Sequence, residues 1–162
     1  MKPAGDEDWV LLAYRLPREP STPRSSVWRK LKRLGVAQLG DGLVALPADA
    51  RTREQLEWVA EEVVDHGGEA TLWVGRPLGP AASAALAARM AAAIGEEYRA
   101  LVTEAHAALT SDAAGQRRTL LRLRRQVRAI RQRDFFPPPD ADAAGIALDR
   151  LALAIDPSEV SA

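Results

Sequence analysis

The stretch Trp9-Val-Leu-Leu-Ala-Tyr14 is apolar on both of its strand faces, and this constrains the fold most. In an extended chain, alternate side chains point to opposite sides. Val10, Leu12 and Tyr14 therefore share one face, and Trp9, Leu11 and Ala13 the other. A strand with two apolar faces has to be covered on both. Helices are expected on one face, and another element of the chain or a second copy on the other.

The segments that follow supply those helices. Leu16 to Arg24 holds three prolines and reads as a loop. Ser25 or Ser26 then caps an expected helix, Val27–Leu34, which Gly35 ends. Val36–Leu39 and Leu43–Leu46 flank Gly40-Asp41-Gly42, a hairpin signal. Thr52 is read as the cap of the next helix, with Glu54 and Glu57 in its first turns. Leu56, Val59, Ala60, Val63 and Val64 form its apolar face, and Gly67-Gly68 stop it. Ala70–Val74 is the last strand of this half. The order strand, helix, strand, strand, helix, strand predicts a ferredoxin-like βαββαβ domain over residues 8–78.

Gly79-Pro80 marks a change of composition. Residues 79–157 read as a three-helix C-terminal extension, so the fold class is α+β. Ala81–Leu109 is alanine-rich, with an apolar stripe at Leu86, Met90, Ile94, Leu101 and Ala105, and Gly95 as a point of bending. Gln116–Arg133 is the arginine-rich helix, with Leu120, Leu123, Val127 and Ile130 on one face. The two should pack as an antiparallel hairpin. Asp142–Ile155 is the third helix, amphipathic, with Ala144, Leu148, Leu151 and Ile155 aligned.

Lysine plus arginine and aspartate plus glutamate both number 22, so the formal net charge is zero. The charges are nevertheless segregated. Residues 116–133 carry eight arginines and no acid. Planar guanidinium forks suit phosphates and tetrahedral oxyanions. Arg117, Arg118, Arg122, Arg124, Arg125 and Arg128 are the candidates for such contacts. Arg24, Arg29, Lys30 and Arg33 form a second basic cluster on and before the first helix. Two readings of the arginine helix stay open. One is contact with a phosphate backbone. The other is pairing with Glu96, Glu97, Glu104 and acids of another subunit. A small oxyanion is a lesser third.

Other chemistry is sparse. There is no cysteine, and the two histidines, His66 and His106, sit at unrelated places. No catalytic residue, cofactor or metal site is expected, and the chain is read as a non-enzyme. The four tryptophans, Trp9, Trp28, Trp58 and Trp73, are read as core. No run is long enough to span a membrane, and the polar, acidic stretch Met1–Asp8 has no hydrophobic signal core, so the expected address is cytoplasmic.

Several motifs in order resemble one family. They are Leu16-Pro-Arg-Glu-Pro-Ser21, Val27-Trp-Arg-Lys-Leu-Lys-Arg-Leu-Gly35, Arg51-Thr-Arg-Glu-Gln-Leu-Glu-Trp58, Gly67-Gly-Glu-Ala-Thr-Leu-Trp73 and Arg133-Asp-Phe-Phe-Pro137. Together they look like the N-terminal domain of the chromate-resistance regulator ChrB family, over roughly Trp9 to Ile155. The resemblance implies a ferredoxin-like domain related to the phenylacetate-type repressors and transcriptional control of a chromate efflux operon. DNA is then the expected partner, with a homodimer as the assembly and chromate as a candidate effector. Full-length members of the family have a second, C-terminal domain, and a separate chain carrying such a domain is a candidate partner. Small nucleases of CRISPR adaptation resemble the chain in architecture but carry a metal-binding aspartate where Arg15 stands, and an arginine repels a divalent cation.

Overall fold

The computed structural model describes residues 8–156. The acidic residues Asp6 and Glu7 lie outside them, as does residue 157 at the end of the expected extension. Nine elements follow in chain order: β1 (Trp9–Arg15), α1 (Thr22–Leu34), β2 (Ala37–Gly40), β3 (Leu43–Pro47), α2 (Ala50–Asp65), β4 (Glu69–Gly75), α3 (Pro80–Ala108), α4 (Ala113–Arg131) and α5 (Asp140–Ile155). They form two compact units, Met1–Ala88 and Arg89–Ala162.

The first unit is built on a four-stranded sheet of order β2-β3-β1-β4. All neighbouring strands are antiparallel. The doubly apolar strand β1 is central. Its Val10 and Leu12 stand opposite Leu46 and Val44 of β3, and opposite Val74 and Leu72 of β4. Val10, Leu12, Val44 and Leu46 are buried, as are Val27 and Leu31 of α1 and Leu56, Val59 and Val63 of α2. These helices cover one face of the sheet. On the other face Trp9 is 1% exposed, and its indole N–H donates to Ser83 Oγ of α3 at 2.9 Å. The first turns of α3 thus supply cover over Trp9, while Leu11 and Ala13 on the same face stay half-buried.

Gly42 shows why the hairpin turn needs glycine. Its φ is +73°, and a Cβ there would lie 2.4 Å from the Tyr14 carbonyl oxygen. The close approach lets Tyr14 N donate to Gly42 O at 2.8 Å, which ties the turn to β1.

Several local expectations are corrected. The helix α1 begins at Thr22, not Val27, with Ser21 as its cap residue. Pro23 sits in the first turn, where a missing N–H leaves no hydrogen bond unmade. The cap of α2 is Asp49, not Thr52. Asp49 Oδ1 accepts from Thr52 N at 2.7 Å, and Thr52 Oγ1 accepts from Asp49 N at 3.0 Å. This is a reciprocal capping box with threonine in the glutamate position. The first turn of α2 therefore holds no acid. Val64, expected on the apolar face, is exposed. The core reading of the tryptophans holds for Trp9 but not for Trp58 and Trp73, which are 63% and 60% exposed. Trp73 lies on the edge strand β4, and Trp58 lies off the Leu56, Val59 and Val63 stripe.

The second unit is helical. Its core joins Ile94, Tyr98, Leu101 and Ala105 of α3, Leu120, Leu123, Val127 and Ile130 of α4, and Ala144, Ala147, Leu148 and Leu151 of α5. Gly95 does not interrupt α3. It is buried, and a Cβ there would lie 2.8 Å from the Asp140 carboxylate. The absent side chain lets the start of α5 approach, and Arg99 Nη1 donates to Asp140 Oδ2 at 3.1 Å.

Candidate nucleic-acid interface

The local sequence sets how α4 is held. Its cap Asp112 accepts from Gly115 N at 2.7 Å. Gln116 is buried in the first turn, where its amide donates to the Leu109 carbonyl at 3.1 Å. That bond fixes the turn between α3 and α4. Below it, Leu120, Leu123, Val127 and Ile130 recur at helical spacing and are all buried. One face is thereby committed to the core, and the polar residues can only point away.

Arg117, Arg118, Arg122, Arg124, Arg125, Arg128 and Arg131 are exposed. Among the described residues, two arginines of the 116–133 stretch have acidic partners. Arg122 meets Glu104 at 2.6 Å. Arg133 grips both carboxylate oxygens of Glu97, with Nη2 to Oε2 at 2.6 Å. The hydrogen bond with Glu97 raises the Arg133 pKa further, so this side chain is a permanent cation. Glu97, earlier in α3, meets Arg133 just past the end of α4, and Glu104, later in α3, meets Arg122 within it, so α3 and α4 run antiparallel, as expected. Glu96 contacts Arg99 instead of α4, at 3.8 Å. Among the described residues, no ion pair engages Arg117, Arg118, Arg124, Arg125 or Arg128. Among the described residues, pairing within this chain thus accounts for Arg122 and Arg133 only.

The basic cluster of α1 is more engaged. Lys30 pairs with Glu62 of α2. Lys32 stands over the Trp28 ring, 5.4 Å from its centroid. Lys32 and Arg33 lie in the last turn, where the helix dipole favours cations. Arg29 and Arg33 are exposed. Arg24 lies on the helix itself and lines a cleft with Tyr14, Ser25, Trp28, Gln38 and Asp41. Burial raises the Tyr14 pKa; the Arg24 charge opposes the rise and Asp41 adds to it.

One buried polar contact gave no signal in the sequence. Tyr98 is 1% exposed, and its hydroxyl donates to Asp134 Oδ2 at 3.0 Å. Asp134 Oδ1 is buried and has no hydrogen-bond partner. Burial raises the Asp134 pKa, while the bond from Tyr98 works against that rise. Burial first, then the bond to Asp134, push the Tyr98 hydroxyl up to about 12. Tyr98→Phe is expected to cost about 1–3 kcal/mol at neutral pH, because the carboxylate loses its donor. The raised Asp134 pKa means the fold holds this proton more tightly than the unfolded chain does. Its contribution to stability is present at low pH and is lost as pH rises through the folded pKa. The penalty of the variant should therefore shrink as pH falls through that value. Urea unfolding at neutral and acidic pH checks this, and a penalty that does not change with pH would remove the carboxylate from the account.

His66 is the C-cap of α2, and His106 lies in the last turn of α3. Among the described residues, no group of three or more His, Cys, Asp or Glu could hold a metal ion. No helix among them is long and apolar enough to cross a membrane.

The model of the family "Protein ChrB, N-terminal" matches residues 24–158. Protein ChrB of Cupriavidus metallidurans is 32% identical over 144 residues, which covers 80% of this chain and 40% of that protein. The chain thus spans under half the length of this curated relative. Among solved structures, the uncharacterised protein Rv0674 from Mycobacterium tuberculosis superposes with a TM-score of 0.55 at 17% identity. That superposition covers 98% of this chain and 66% of the other, and it speaks to fold alone. With the family model running from α1 through the arginine helix, the chain belongs to the ChrB family, as its N-terminal part.

Proposed function

We propose that this chain is a DNA-binding transcriptional regulator of the ChrB type, linked to chromate resistance. One observation carries the reading. The core-facing stripe of α4 leaves Arg117, Arg118, Arg124, Arg125 and Arg128 exposed and, among the described residues, without acidic partners. Like charges at that spacing repel one another, and a row of phosphates offsets the repulsion. Arg24, Arg29 and Arg33 of α1 form the second contact group. Lys30, with Glu62 beside it, has the weaker claim.

In this reading the element order and the strand order β2-β3-β1-β4 describe a ferredoxin-like domain. The protein works in the cytoplasm as a homodimer without catalysis, cofactor or metal. Chromate is its candidate effector. The test is a titration of binding to DNA from upstream of its own gene, with and without chromate. Log affinity should fall linearly with log salt, by about 0.9 for each phosphate neutralised. A salt-independent affinity would end the phosphate reading.

The second reading is a protein-interaction module whose basic helix is occupied by acidic protein groups. The Arg122–Glu104 and Arg133–Glu97 pairs favour it. Under that reading the purified protein shows no measurable affinity for DNA even at low salt.

A further inference from the structure

The unit that lacks the arginine helix carries its chemical complement. Along α2, Glu54, Glu61 and Asp65 are exposed and, among the described residues, have no ion pair. Other acids of this helix are engaged, Glu57 by Arg53 at 3.0 Å and Glu62 by Lys30. Trp58 lies between Glu54 and Glu61 at helical spacing and is 63% exposed. Beside this stripe, an open groove runs between α2 and the edge strand β4. Val64, Ala70 and Leu72 supply its apolar lining, and Glu57, Glu61 and Asp65 its carboxylates. Val64 and Val74 are themselves exposed.

Such a groove fits a helix with an apolar anchor among cations. The outer face of α4 has that composition. Leu121 is 61% exposed, with Arg117, Arg118, Arg124 and Arg125 three and four residues to either side. The two stripes also match in length. Glu54 to Asp65 and Arg117 to Arg128 each extend roughly 16 Å at about 1.5 Å per residue. Groove against groove would set acid against acid, and α4 against α4 would set arginine against arginine. Only the unlike pairing is favourable.

We propose that α4 of one copy docks on the α2–β4 groove of a second copy, with Leu121 on the apolar lining and the arginines on Glu54, Glu61 and Asp65. Trp58 adds its ring face as a seat for one guanidinium. The contact is heterologous, and it explains how a chain of zero net charge keeps its charges so segregated. It does not require the DNA reading. If both hold, DNA and the second copy compete for the same arginines.

Sedimentation of the full chain against concentration tests the contact. The parent should associate at low salt, with affinity falling about tenfold or more on moving to several hundred millimolar salt. A groove variant (Glu54→Arg, Glu61→Arg, Asp65→Arg) and a helix variant (Arg117→Glu, Arg124→Glu, Arg128→Glu) should each be monomeric alone. An equimolar mixture of the two should associate again, because each then offers the surface the other lacks. All changed positions are exposed, and circular dichroism checks that both variants fold. A monomeric parent at low salt, or a mixture that stays monomeric, overturns the proposal. The groove variant should bind DNA no more weakly than the parent, because it frees the arginines of α4 and removes three acids. A parent that is monomeric yet binds DNA would sink this contact and leave the regulator reading intact.

Discussion

A variant with Arg124, Arg125 and Arg128 all changed to alanine is expected to bind DNA about 10- to 1,000-fold more weakly near 0.1 M salt. The range follows from removing up to three phosphate contacts, each of which also releases counterion. The slope of log affinity against log salt should become shallower by about 2–3, roughly one for each phosphate left without its arginine. The fold should not suffer. All three side chains are exposed, and among the described residues none makes an ion pair. Arg124 and Arg128 are four apart on one helix, so their removal relieves a small like-charge repulsion. Alanine is also the best helix former. Thermal unfolding should thus match or slightly exceed the parent's. A correctly folded variant with unchanged affinity and slope would take the arginine helix out of DNA recognition.

Leu123→Ala should instead damage the structure, costing about 2–5 kcal/mol. Leu123 is 0% exposed and belongs to the cluster that unites α3, α4 and α5. Alanine there gives up the transfer energy of the missing carbons and leaves a cavity in a core made mostly of small alanine and leucine side chains. Whole domains are typically stable by only about 5–15 kcal/mol, so the helical unit should be partly unfolded under mild denaturant. The control lies two residues away. Leu121 is 61% exposed, and Leu121→Ala should shift folding stability by no more than about 0.5 kcal/mol. Urea unfolding of the two variants followed by circular dichroism separates them. Equal destabilisation would mean that the inner face of α4 has been misassigned.

These two predictions draw on parts of the molecule that were legible to different degrees. The inner stripe of α4 could be read directly, because burial at one side of a helix imposes a period that survives in the sequence. The same rule found the buried faces of α3 and α5 and the two apolar faces of β1. Capping was less legible. Asp49 and Ser21 lie outside the apolar periods, so those periods by themselves put the starts of α2 and α1 too late. Pro23 looked like the end of a loop although it occupies a first turn. The bond between Tyr98 and Asp134 left no trace at all, since a contact between residues 36 apart has no local signature.

Periodicity and turn chemistry in the chain alone determined the order of elements, the two apolar faces of β1 and the segregation of basic charge on α4. Each depends on neighbours in sequence. Tertiary structure decided which charges remain unengaged. Glu97 and Glu104 reach only Arg133 and Arg122, because the antiparallel course of α3 and α4 brings just those side chains together. It also decided the fate of the tryptophans. Trp9 and Trp73 both lie in apolar strands, but one meets Ser83 under α3 and the other stands on an open sheet edge. Hydrophobicity states that a side chain would gain by burial; only the arrangement of the other elements supplies, or fails to supply, the surface that buries it.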